Sequence, residues 1–424
     1  MSTKSRSAAR LTPALFEHAE EVLAQVLRFE YPADGVISHY FREQRQLGHA
    51  DRGFVAETVY AVLRRWRSLE ARCGWADHRL LLLAALVFDR GFNLREIEHL
   101  MRGEERDLLA KAKGFDLLGQ PPAIQTDFPD WLYGQLAAQY GAEEVQRLAA
   151  SLNRPASLDL RINPMKISRE TALEQLAASG IEGSPTPYSP LGIRLKGKPA
   201  LSKNALFLDG SVEVQDEGSQ LLGLLVAPRR GEMVVDFCAG AGGKTLLLGG
   251  LMRNTGRLYA MDVSEKRLSK LKPRLARSGL ANIHPMRIEH EQDSKLKRLA
   301  GKADRVLVDA PCSGLGTLRR NPDLKWRQKA ESVTEMAAKQ AAILAAAARL
   351  VRPGGRLVYA TCSLLSMEND AVVTAFLAQF PDFQLVPVQE VLKQDLGMSG
   401  PTLQLLPNLH GTDGFYAAVM ERKS

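Results

Sequence analysis

The sequence predicts an α/β protein in which a helical region and a small mixed module precede a doubly wound, parallel sheet. Three observations support this prediction. Apolar residues recur with helical spacing from Leu15 to about Phe115. Strand-like and helical pieces alternate between Trp131 and Asp209. After Gly231, short apolar runs alternate with helical stretches, as in parallel strands whose connecting helices cover both faces of the sheet.

The composition of the 424-residue chain excludes several classes of protein. With 45% hydrophobic and 25% charged residues it is typical of a globular protein. A net charge of +8 and a pI of about 9.3 favour a polyanionic partner. The N-terminal sequence has no apolar signal region, and the longest apolar run, Leu80 to Phe88, is about half the ~20 residues of a membrane span. We therefore expect a cytoplasmic protein that binds no membrane.

A chain of this length exceeds one typical hydrophobic core, so several domains are expected. A segment rich in Pro and Gly, Lys113 to Asp130, is the first predicted boundary. The predicted domains are a helical domain at 1–125, a small α+β module at 126–210 and an α/β domain at 211–424. In the module we predict one helix, Arg169 to Ser179, and strands at Leu158 to Ile162, Ile193 to Leu195 and Ala205 to Leu208.

The helical region carries an arginine cluster, Arg64, Arg65 and Arg67, at the end of its strongest periodic run. Cations in the last turn of a helix interact favourably with its macrodipole. Alternatively, the cluster forms a surface that faces nucleic acid. The sequence leaves these two interpretations equally open.

In the α/β domain, the first predicted strand runs into the turn Cys238 to Thr245 and then into a helix. A glycine-rich turn lets the backbone approach a ligand at a helix N-terminus. Neither phosphate-binding pattern fits, because Cys238 replaces the first glycine of a P-loop and Thr245 replaces the last glycine of the dinucleotide fingerprint. Asp262, at the end of the second strand, has the position of an acid that binds a ribose diol. These features favour a nucleoside without a pyrophosphate, and S-adenosyl-L-methionine fits that description.

Two of the four cysteines, Cys312 and Cys362, follow predicted strands at the edge where ligands bind in open α/β sheets. Together with Cys73 and Cys238 they form no zinc spacing, so we expect reduced thiols and no metal. A thiolate that adds to C6 of a pyrimidine makes C5 nucleophilic toward a sulfonium methyl group. A second group must then remove the C5 proton. Asp309, beside the ring, would stabilise the charge that develops there.

Several ordered motifs resemble those of the Nol/Nop/Sun family of RNA cytosine-C5 methyltransferases. They are DFCAGAGGKT at 236–245, DAPCSG at 309–314, RRNPDLKW at 319–326, ATCS at 360–363 and HGTDGF at 410–415, with VQDEGSQ at 214–220 ahead of them. The resemblance covers about 210–424 and implies a Rossmann-like S-adenosylmethionine methyltransferase domain. The helical start, especially Asp51 to Trp66, is similar to the NusB-like domain of the branch that methylates bacterial small-subunit rRNA. The small module would then be RRM-like.

The resemblance also implies roles for particular residues. Cys362 would be the nucleophile and Cys312 would assist product release, while Asp309 and Lys244 would hold the target cytosine. The residues implied to bind S-adenosyl-L-methionine are Cys238, Ala239, Gly240, Ala241, Gly242, Gly243, Lys244, Asp262 and Asp309.

The motif at 319–326 would order a loop over the site through Asn321, Pro322 and Asp323. Its cations are candidates for phosphate contacts, or else lie on a solvated face; they are Arg319, Arg320 and Lys325.

The chain departs from the family pattern at two places. Gly240-Ala241 replaces the usual Ala-Pro, so the turn loses the stiffness of proline. After the third strand, the segment 287–291 lacks the usual Asp near the adenine. His290 and the neighbouring Glu residues are the alternatives, and none is assigned.

The implied function is methylation of C5 of a cytosine in RNA, most directly 16S rRNA, by a monomer that flips the base out of its stack. The same chemistry on tRNA is one alternative. A second is an arrangement with Cys312 as nucleophile, as in DNA cytosine-C5 enzymes, which leaves Cys362 unexplained. A third is a non-catalytic RNA-binding ribosome assembly factor, which needs neither cysteine.

Overall fold

The computed structural model describes residues 11–74, 77–398 and 400–424. The first ten residues, where the sequence predicts no signal region, lie outside the described residues. No helix within these ranges is both long and apolar enough to cross a bilayer. In chain order, the helices are α1 (Pro13–Val26), α2 (Ala33–Glu43), α3 (His49–Cys73), α4 (His78–Phe88), α5 (Glu105–Ala112), α6 (Pro122–Gln125), α7 (Asp130–Tyr140), α8 (Ala142–Leu152), α9 (Arg169–Ala178), α10 (Ala205–Leu208), α11 (Glu217–Val226), α12 (Gly243–Leu251), α13 (Glu265–Ser278), α14 (Leu324–Arg327), α15 (Ala330–Ala348), α16 (Asp370–Gln379), α17 (Val388–Leu392) and α18 (Pro407–His410). The strands are β1 (Leu158–Ile162), β2 (Gly183–Pro185), β3 (Gly192–Leu195), β4 (Val212–Val214), β5 (Met233–Asp236), β6 (Arg257–Asp262), β7 (Ile283–Arg287), β8 (Ala303–Asp309), β9 (Val351–Thr361), β10 (Phe383–Val386), β11 (Leu403–Leu405) and β12 (Phe415–Arg422).

The chain divides into two compact units. The helical unit comprises Met1–Pro155 and Thr317–Ala330, and the α/β unit comprises Ala156–Gly316 and Glu331–Ser424. The segment 126–155, predicted as the start of the middle module, is mainly helical and groups with the helical unit by its contacts. The prolines around the predicted boundary mark helix starts, since Pro122 opens α6 and Pro129 is the N-cap of α7. Proline is well suited to the start of a helix because its φ is already helical and no amide bond is lost there.

The helical unit confirms the helical periodicity of the N-terminal region. Helices α1, α3 and α4 pack on one another and bury an apolar face of each, which includes Phe16, Leu23, Val59, Leu63 and Leu83. The apolar spacing that predicts these helices is therefore the spacing of their buried stripe.

The arginine cluster at 64–67 lies at a kink of α3. The backbone at Arg65 is not helical (φ −117°, ψ 15°), and α3 continues beyond the kink to Cys73. Arg65 lies 3.5 Å from Asp127 through Nη1, and Arg67 donates a hydrogen bond of 2.8 Å to Asp130. Arg65 and Arg67 thus pair with Asp127, which lies between α6 and α7, and with Asp130, the first residue of α7, within the helical unit.

The small sheet of the α/β unit has the strand order β2-β3-β1-β4, and all its pairs are antiparallel. β1 has the bounds that the sequence predicts. The strand predicted at Ala205–Leu208 is wrong, because these residues form the short helix α10. The Asn204 side chain accepts a hydrogen bond from the backbone N–H of Leu206 at 3.1 Å and caps that helix. A four-residue apolar run does not by itself distinguish a strand from a helical turn.

The large sheet has the strand order β10-β12-β9-β8-β5-β6-β7, with β11 paired to β12. Strands β5 to β9 are parallel, as predicted, and β10, β11 and β12 add antiparallel pairs that the sequence analysis did not predict. Along β8, Val306 and Val308 belong to one buried cluster with α15 and α16, and Leu307 belongs to another with α11 and α12. Both faces are therefore covered, which confirms the doubly wound sheet.

Candidate active site

The predicted glycine turn at 238–243 follows β5 and leads into α12. Its backbone is held on the neighbouring strand, since Ala239 N donates to Met261 O at 2.8 Å. Gly240 N donates to Oδ2 of Asp262 at 2.9 Å. The turn therefore has one fixed position relative to the carboxyl end of β6.

Asp262 uses both carboxylate oxygens to organise this edge. Its Oδ1 accepts hydrogen bonds from Ser264 N at 2.8 Å and from Arg267 at 2.9 Å, while Oδ2 holds the turn. The residue also lines the cavity described below. Its contact with a ribose diol stays a prediction.

Two arginines hold the carbonyl side of the same turn. Arg274 Nη1 donates to Ala241 O at 2.7 Å, and Arg161 Nη1 donates to Gly243 O at 2.8 Å. These bonds restrain the turn from outside, at the place where the usual proline is missing. Gly242 has a φ of +82°, and a Cβ there would lie 2.2 Å from the side chain of Leu271, so only glycine fits.

The small sheet contributes to this restraint through Glu213 of β4. Its Oε2 accepts from Arg274 Nη2 at 2.9 Å, and its Oε1 accepts from Arg277 Nη2 at 2.6 Å. Arg161 belongs to the neighbouring strand, β1. Neither residue was singled out in the sequence, because nothing local indicates that β1, 82 residues before Gly243, and β4 reach this turn.

A cavity of about 560 Å³ lies where β5, β6 and β8 end. Its wall includes the glycine turn together with Asp236, Asp262, Ile288, Asp309 and Cys362. The mixture of apolar surface with a few convergent polar groups suits a nucleoside ligand.

Asp236 is a cavity residue that the sequence analysis missed. Its Oδ2 accepts from the Thr245 hydroxyl at 2.7 Å, whereas the buried Oδ1 has no hydrogen-bond partner within the described part of the chain. Burial raises the pKa of Asp236 to about 7, and the nearby Asp309 and Asp262 add to that effect. An unpartnered carboxyl oxygen in the wall suits a ligand that carries a positive charge or a donor, as S-adenosyl-L-methionine does.

The segment after the third parallel strand contributes Ile288 and Glu291 to the cavity. His290 instead accepts a hydrogen bond at Nδ1 from the backbone N–H of Gln292, at 3.1 Å. Of the alternatives left open by the sequence, Glu291 is therefore the one that lines the cavity, and the residue that contacts the adenine stays unassigned.

The two thiols singled out in the sequence lie together. Sγ of Cys312 is 3.3 Å from Sγ of Cys362, and the backbone N–H of Cys362 donates to Sγ of Cys312, also at 3.3 Å. Both residues line the cavity. The hydrogen bond to Cys362, burial, and the charges of Cys362 and Glu368 raise the pKa of Cys312 well above its usual range. Cys312 therefore favours its protonated form beside Cys362.

Lys244 and Asp309 form an ion pair in the same wall. Nζ of Lys244 lies 2.7 Å from Oδ2 of Asp309, and the two side chains are 12% and 30% exposed. Burial acts to lower the pKa of Lys244, but the charge and hydrogen bond of Asp309 and the charge of Cys362 outweigh it, so the pKa is raised. Lys244 thus remains a cation between an aspartate and one of the two thiols.

The other two cysteines have different surroundings. Cys238 also lines the cavity, and burial together with the charges of Asp236, Asp309 and Asp262 raises its pKa. Cys73 packs beside the helical core, and burial raises its pKa to about 11. Both side chains therefore stay as thiols, and all four cysteines are free. In the described residues, no group of His, Cys, Asp and Glu side chains is arranged to hold a metal ion.

The prediction that Lys325 contacts phosphate is wrong. Lys325 is 0% exposed and donates to Arg64 O and to Asn153 Oδ1, both at 2.9 Å, inside the helical unit. Burial lowers its pKa to about 7. The adjacent Trp326 donates from Nε1 to Leu63 O at 2.7 Å, so this end of the motif is an internal anchor.

The rest of that motif also belongs to the helical unit. Asp323 is buried, and its Oδ2 accepts from Ala33 N at 3.1 Å. Asn321 Nδ2 donates to the Thr317 hydroxyl at 3.3 Å. The predicted role of Asn321, Pro322 and Asp323 in ordering a loop over the site remains a prediction. The phosphate contacts of the partly exposed Arg319 and Arg320 also remain predictions.

The fold and the cavity define a methyltransferase with a Rossmann-like sheet, and solved structures share this fold. The crystal structure of PH0851 has a TM-score of 0.80, with 26% identity over 97% of this chain and 99% of that chain. NSun6 from Pyrococcus horikoshii, solved with SFG, has a TM-score of 0.63, with 23% identity over 70% of this chain and 99% of that chain.

Comparison of sequences identifies the family. Residues 223–421 match the family described as 16S rRNA methyltransferase RsmB/F, and residues 128–202 match the ferredoxin-like domain of RsmF/B-like methyltransferases. The probable ribosomal RNA small subunit methyltransferase B of Synechocystis sp. is 33% identical over 90% of this chain and 93% of that protein. The chain therefore belongs to the RsmB/F family of methyltransferases, and S-adenosyl-L-methionine is its cofactor.

Proposed function

We propose that this chain methylates C5 of a cytosine in RNA, within 16S rRNA, through a covalent adduct between Cys362 and C6 of the base. The observation that carries the proposal is the pair of thiols in contact at 3.3 Å in the wall of the cofactor cavity. A protein that only binds RNA has no use for such a pair beside a methyl donor. S-adenosyl-L-methionine, when bound, supplies an electrophilic methyl group.

The charges around the two thiols favour Cys362 as the nucleophile. Lys244 lies near enough to Cys362 for the thiol to contribute to its raised pKa, so an ammonium group is available to stabilise a Cys362 thiolate. Cys312 is hydrogen-bonded to Cys362 and lies near the anionic Glu368, both of which favour its protonated form. We therefore assign Cys362 as the nucleophile, with Cys312 as its hydrogen-bond donor.

Attack of this thiolate forms the C6–S bond and makes C5 nucleophilic, so that C5 takes the methyl group. We assign Asp309 to the amino edge of the cytosine, with Lys244 balancing its charge. The pair lies 2.7 Å apart in the same wall. Charge that develops on the ring would then meet preorganised groups rather than water.

Release requires loss of the C5 proton, return of the electron pair to the C5–C6 bond and cleavage of the C6–S bond. We assign Cys312 to this step. Two causes of its raised pKa are the hydrogen bond to Cys362 and the charge of Cys362. When Cys362 becomes a thioether, both causes weaken, so Cys312 gives up its proton more readily and can act as a base.

The nucleophile is tested with RNA that contains 5-fluorocytosine, in which loss of the group at C5 is blocked and the adduct persists. We expect an adduct with wild type and Cys312→Ala but none with Cys362→Ala. Cys73→Ala, in the helical unit, is the matched control and should behave like wild type. An adduct that survives in Cys362→Ala would show that Cys312 is the nucleophile.

The substrate is tested by methyl transfer to 16S rRNA, tRNA and DNA from cells that lack the enzyme, followed by bisulfite mapping of 5-methylcytosine. We expect transfer to 16S rRNA. Transfer to tRNA alone would support the same chemistry on another RNA. No transfer to any of them would favour the assembly factor.

A further inference from the structure

Glu368 is a fully buried carboxylate that does not line the cofactor cavity. Its exposure is 0%, and it ends a short 3-10 turn, Ser366–Glu368, after β9. Carboxylates are seldom buried completely unless several donors compensate for lost hydration. The hydrogen-bond donors around the Glu368 carboxylate show which residues it binds.

Two serine side chains converge on Glu368. Its Oε1 accepts from Ser313 N at 2.8 Å, and its Oε2 accepts from the Ser313 hydroxyl at 2.5 Å and from the Ser363 hydroxyl. Ser313 directly follows Cys312, and Ser363 directly follows Cys362. One carboxylate thus joins the two turns that carry the thiols.

Gln340 of α15 extends this connection to the residue before Cys312. Its Nε2 donates to Oε1 of Glu368 and to Pro311 O, both at 2.9 Å. The backbone O of Glu368 accepts from the Tyr359 hydroxyl at 2.6 Å. All of these side chains are buried, so water does not compete for the donors.

The neighbouring Asn369 holds the other turn in the same way. Its Nδ2 donates to Ser363 O at 3.1 Å, and its Oδ1 accepts from the Thr361 hydroxyl at 2.6 Å. Residues on both sides of Cys362 are therefore bound to the segment that carries Glu368.

This side-chain network spans a gap in the backbone pairing of β8 and β9. The bond from Ala310 N to Ala360 O, 2.8 Å, precedes both cysteines, and the bond from Gly316 N to Cys362 O, 2.9 Å, lies beyond Cys312. Between these two bonds, Glu368 binds residues of both turns, alongside the direct contacts from Cys362 N to Cys312 Sγ at 3.3 Å and between the Ser313 and Ser363 hydroxyls at 3.2 Å.

We propose that Glu368 is a positioning residue that sets the distance between the Cys312 and Cys362 thiols by binding Ser313 and Ser363. The role in catalysis rests on the proposed function, because both steps of the methyl transfer need the two thiols beside one base. The geometric role does not depend on that function. Glutamine at 368 would present one acceptor and one donor where four donors converge, two on each carboxylate oxygen, so the two donors at one end would lose their acceptor.

The distance is tested without RNA, by closing the pair with 2,2′-dipyridyl disulfide. The first thiolate displaces one thiopyridone and forms a mixed disulfide; the second thiolate attacks its protein sulfur, releases the other thiopyridone and completes a Cys312–Cys362 disulfide. The rate of closure divided by the rate of the first step reports how often the two sulfurs meet. Peptide mass spectrometry identifies the cysteines that react.

We expect Glu368→Gln to lower this ratio by about tenfold, the effect of losing a charge-assisted hydrogen bond. The same substitution at the exposed Glu390 of α17 should leave the ratio unchanged. If Glu368→Gln does not fold, Ser313→Ala and Ser363→Ala each remove one hydroxyl that Glu368 binds, and each should also lower the ratio of the two rates. An unchanged ratio in folded Glu368→Gln, or in both serine variants, would overturn the proposal.

Kinetics separate positioning from stability. Glu368→Gln should lower kcat by at least about tenfold while KM for RNA stays constant, since the residue touches no substrate. If no RNA is methylated by wild type, the proposed function fails, and the closure ratio still decides the role of Glu368. If methylation proceeds normally in Glu368→Gln and the ratio of the two rates is unchanged, the positioning role of Glu368 is refuted and the proposed function stands.

Discussion

Replacement of Glu213 by glutamine should loosen the glycine turn at 238–243, although Glu213 does not line the cavity. The carboxylate binds Arg274 and Arg277, and Arg274 in turn holds Ala241 O at 2.7 Å. The substitution keeps the shape of the side chain and removes its charge. It therefore tests whether the small sheet restrains the turn through this ion pair.

The expected loss of stability follows from burial of the three side chains. Glu213 is 7% exposed, and its two guanidinium partners are 21% and 24% exposed. Removing one partner of a fully buried pair costs about 3–5 kcal/mol, and a surface pair contributes about 0–1 kcal/mol. This pair lies between those limits and glutamine retains one acceptor, so we expect about 2 kcal/mol. That corresponds to a fall in Tm of roughly 4–8 °C for a unit of this size.

Cofactor binding should weaken as well. Loss of order at Arg274 removes about one net hydrogen bond, ~1 kcal/mol, from the turn, which corresponds to an affinity about fivefold lower. Urea unfolding followed by circular dichroism measures the first effect, and isothermal titration with S-adenosyl-L-methionine measures the second. Both use the full chain.

Glu182→Gln is the matched control. Glu182 belongs to the same small sheet region and pairs with Lys196 at 2.8 Å, but the two side chains are 71% and 78% exposed. We expect no measurable change in that variant. If Glu213→Gln behaves like Glu182→Gln in both assays, the small sheet does not restrain the turn and the reasoning is refuted.

Three further predictions concern buried titratable groups. Burial raises the pKa of Asp236 to about 7, so the folded protein holds a proton that the unfolded chain releases between pH ~4 and ~7. The free energy of unfolding, measured with urea, should therefore fall as pH rises through that window in wild type and stay level in Asp236→Asn. An equal fall in both proteins would contradict this prediction. Burial lowers the pKa of Lys325 to about 7, so between pH ~7 and ~10.4 the unfolded chain holds a proton that the folded chain lacks. The free energy of unfolding of the helical unit should therefore rise with pH in that window for wild type and stay level for Lys325→Met. Burial raises the pKa of Cys73 to about 11, so Cys73→Ala should leave methyl transfer unchanged, and a loss of activity would show that the thiol does more than pack.

The large sheet shows why much of the fold was predictable. The alternation after Gly231 identifies β5 to β9 and the helices between them, since buried parallel strands are apolar along their whole length. The same pattern indicates where each strand ends, and ligand-binding residues follow strand ends. The strands β10, β11 and β12 were missed because they are antiparallel additions separated by irregular segments, which have no comparable periodicity.

The candidate site divides in the same way. Glycine spacing identifies the turn at 238–243, and residue type with strand position identifies Asp262, Asp309, Cys312 and Cys362. The long-range partners were missed because they depend on which distant carboxylate meets which cation or hydroxyl. Glu213 and Glu368 are ordinary acidic residues in the sequence, and only the fold brings them to the glycine turn and to the two serines.

Lys325 is the instructive error, because a lysine in a basic motif is usually solvated. The segment 317–330 belongs to the helical unit. There the ammonium group of Lys325 donates to the backbone oxygen of Arg64 and to the side-chain amide oxygen of Asn153 instead of to water. By itself, the sequence determined the order of the elements of the large parallel sheet, the glycine turn at 238–243 and the position of two thiols after strand ends, all of which follow from local spacing and residue type. The tertiary structure decided which charges are buried, which arginines bind the glycine turn at 238–243 and how close the two thiols lie, because those properties depend on contacts between residues far apart in the chain.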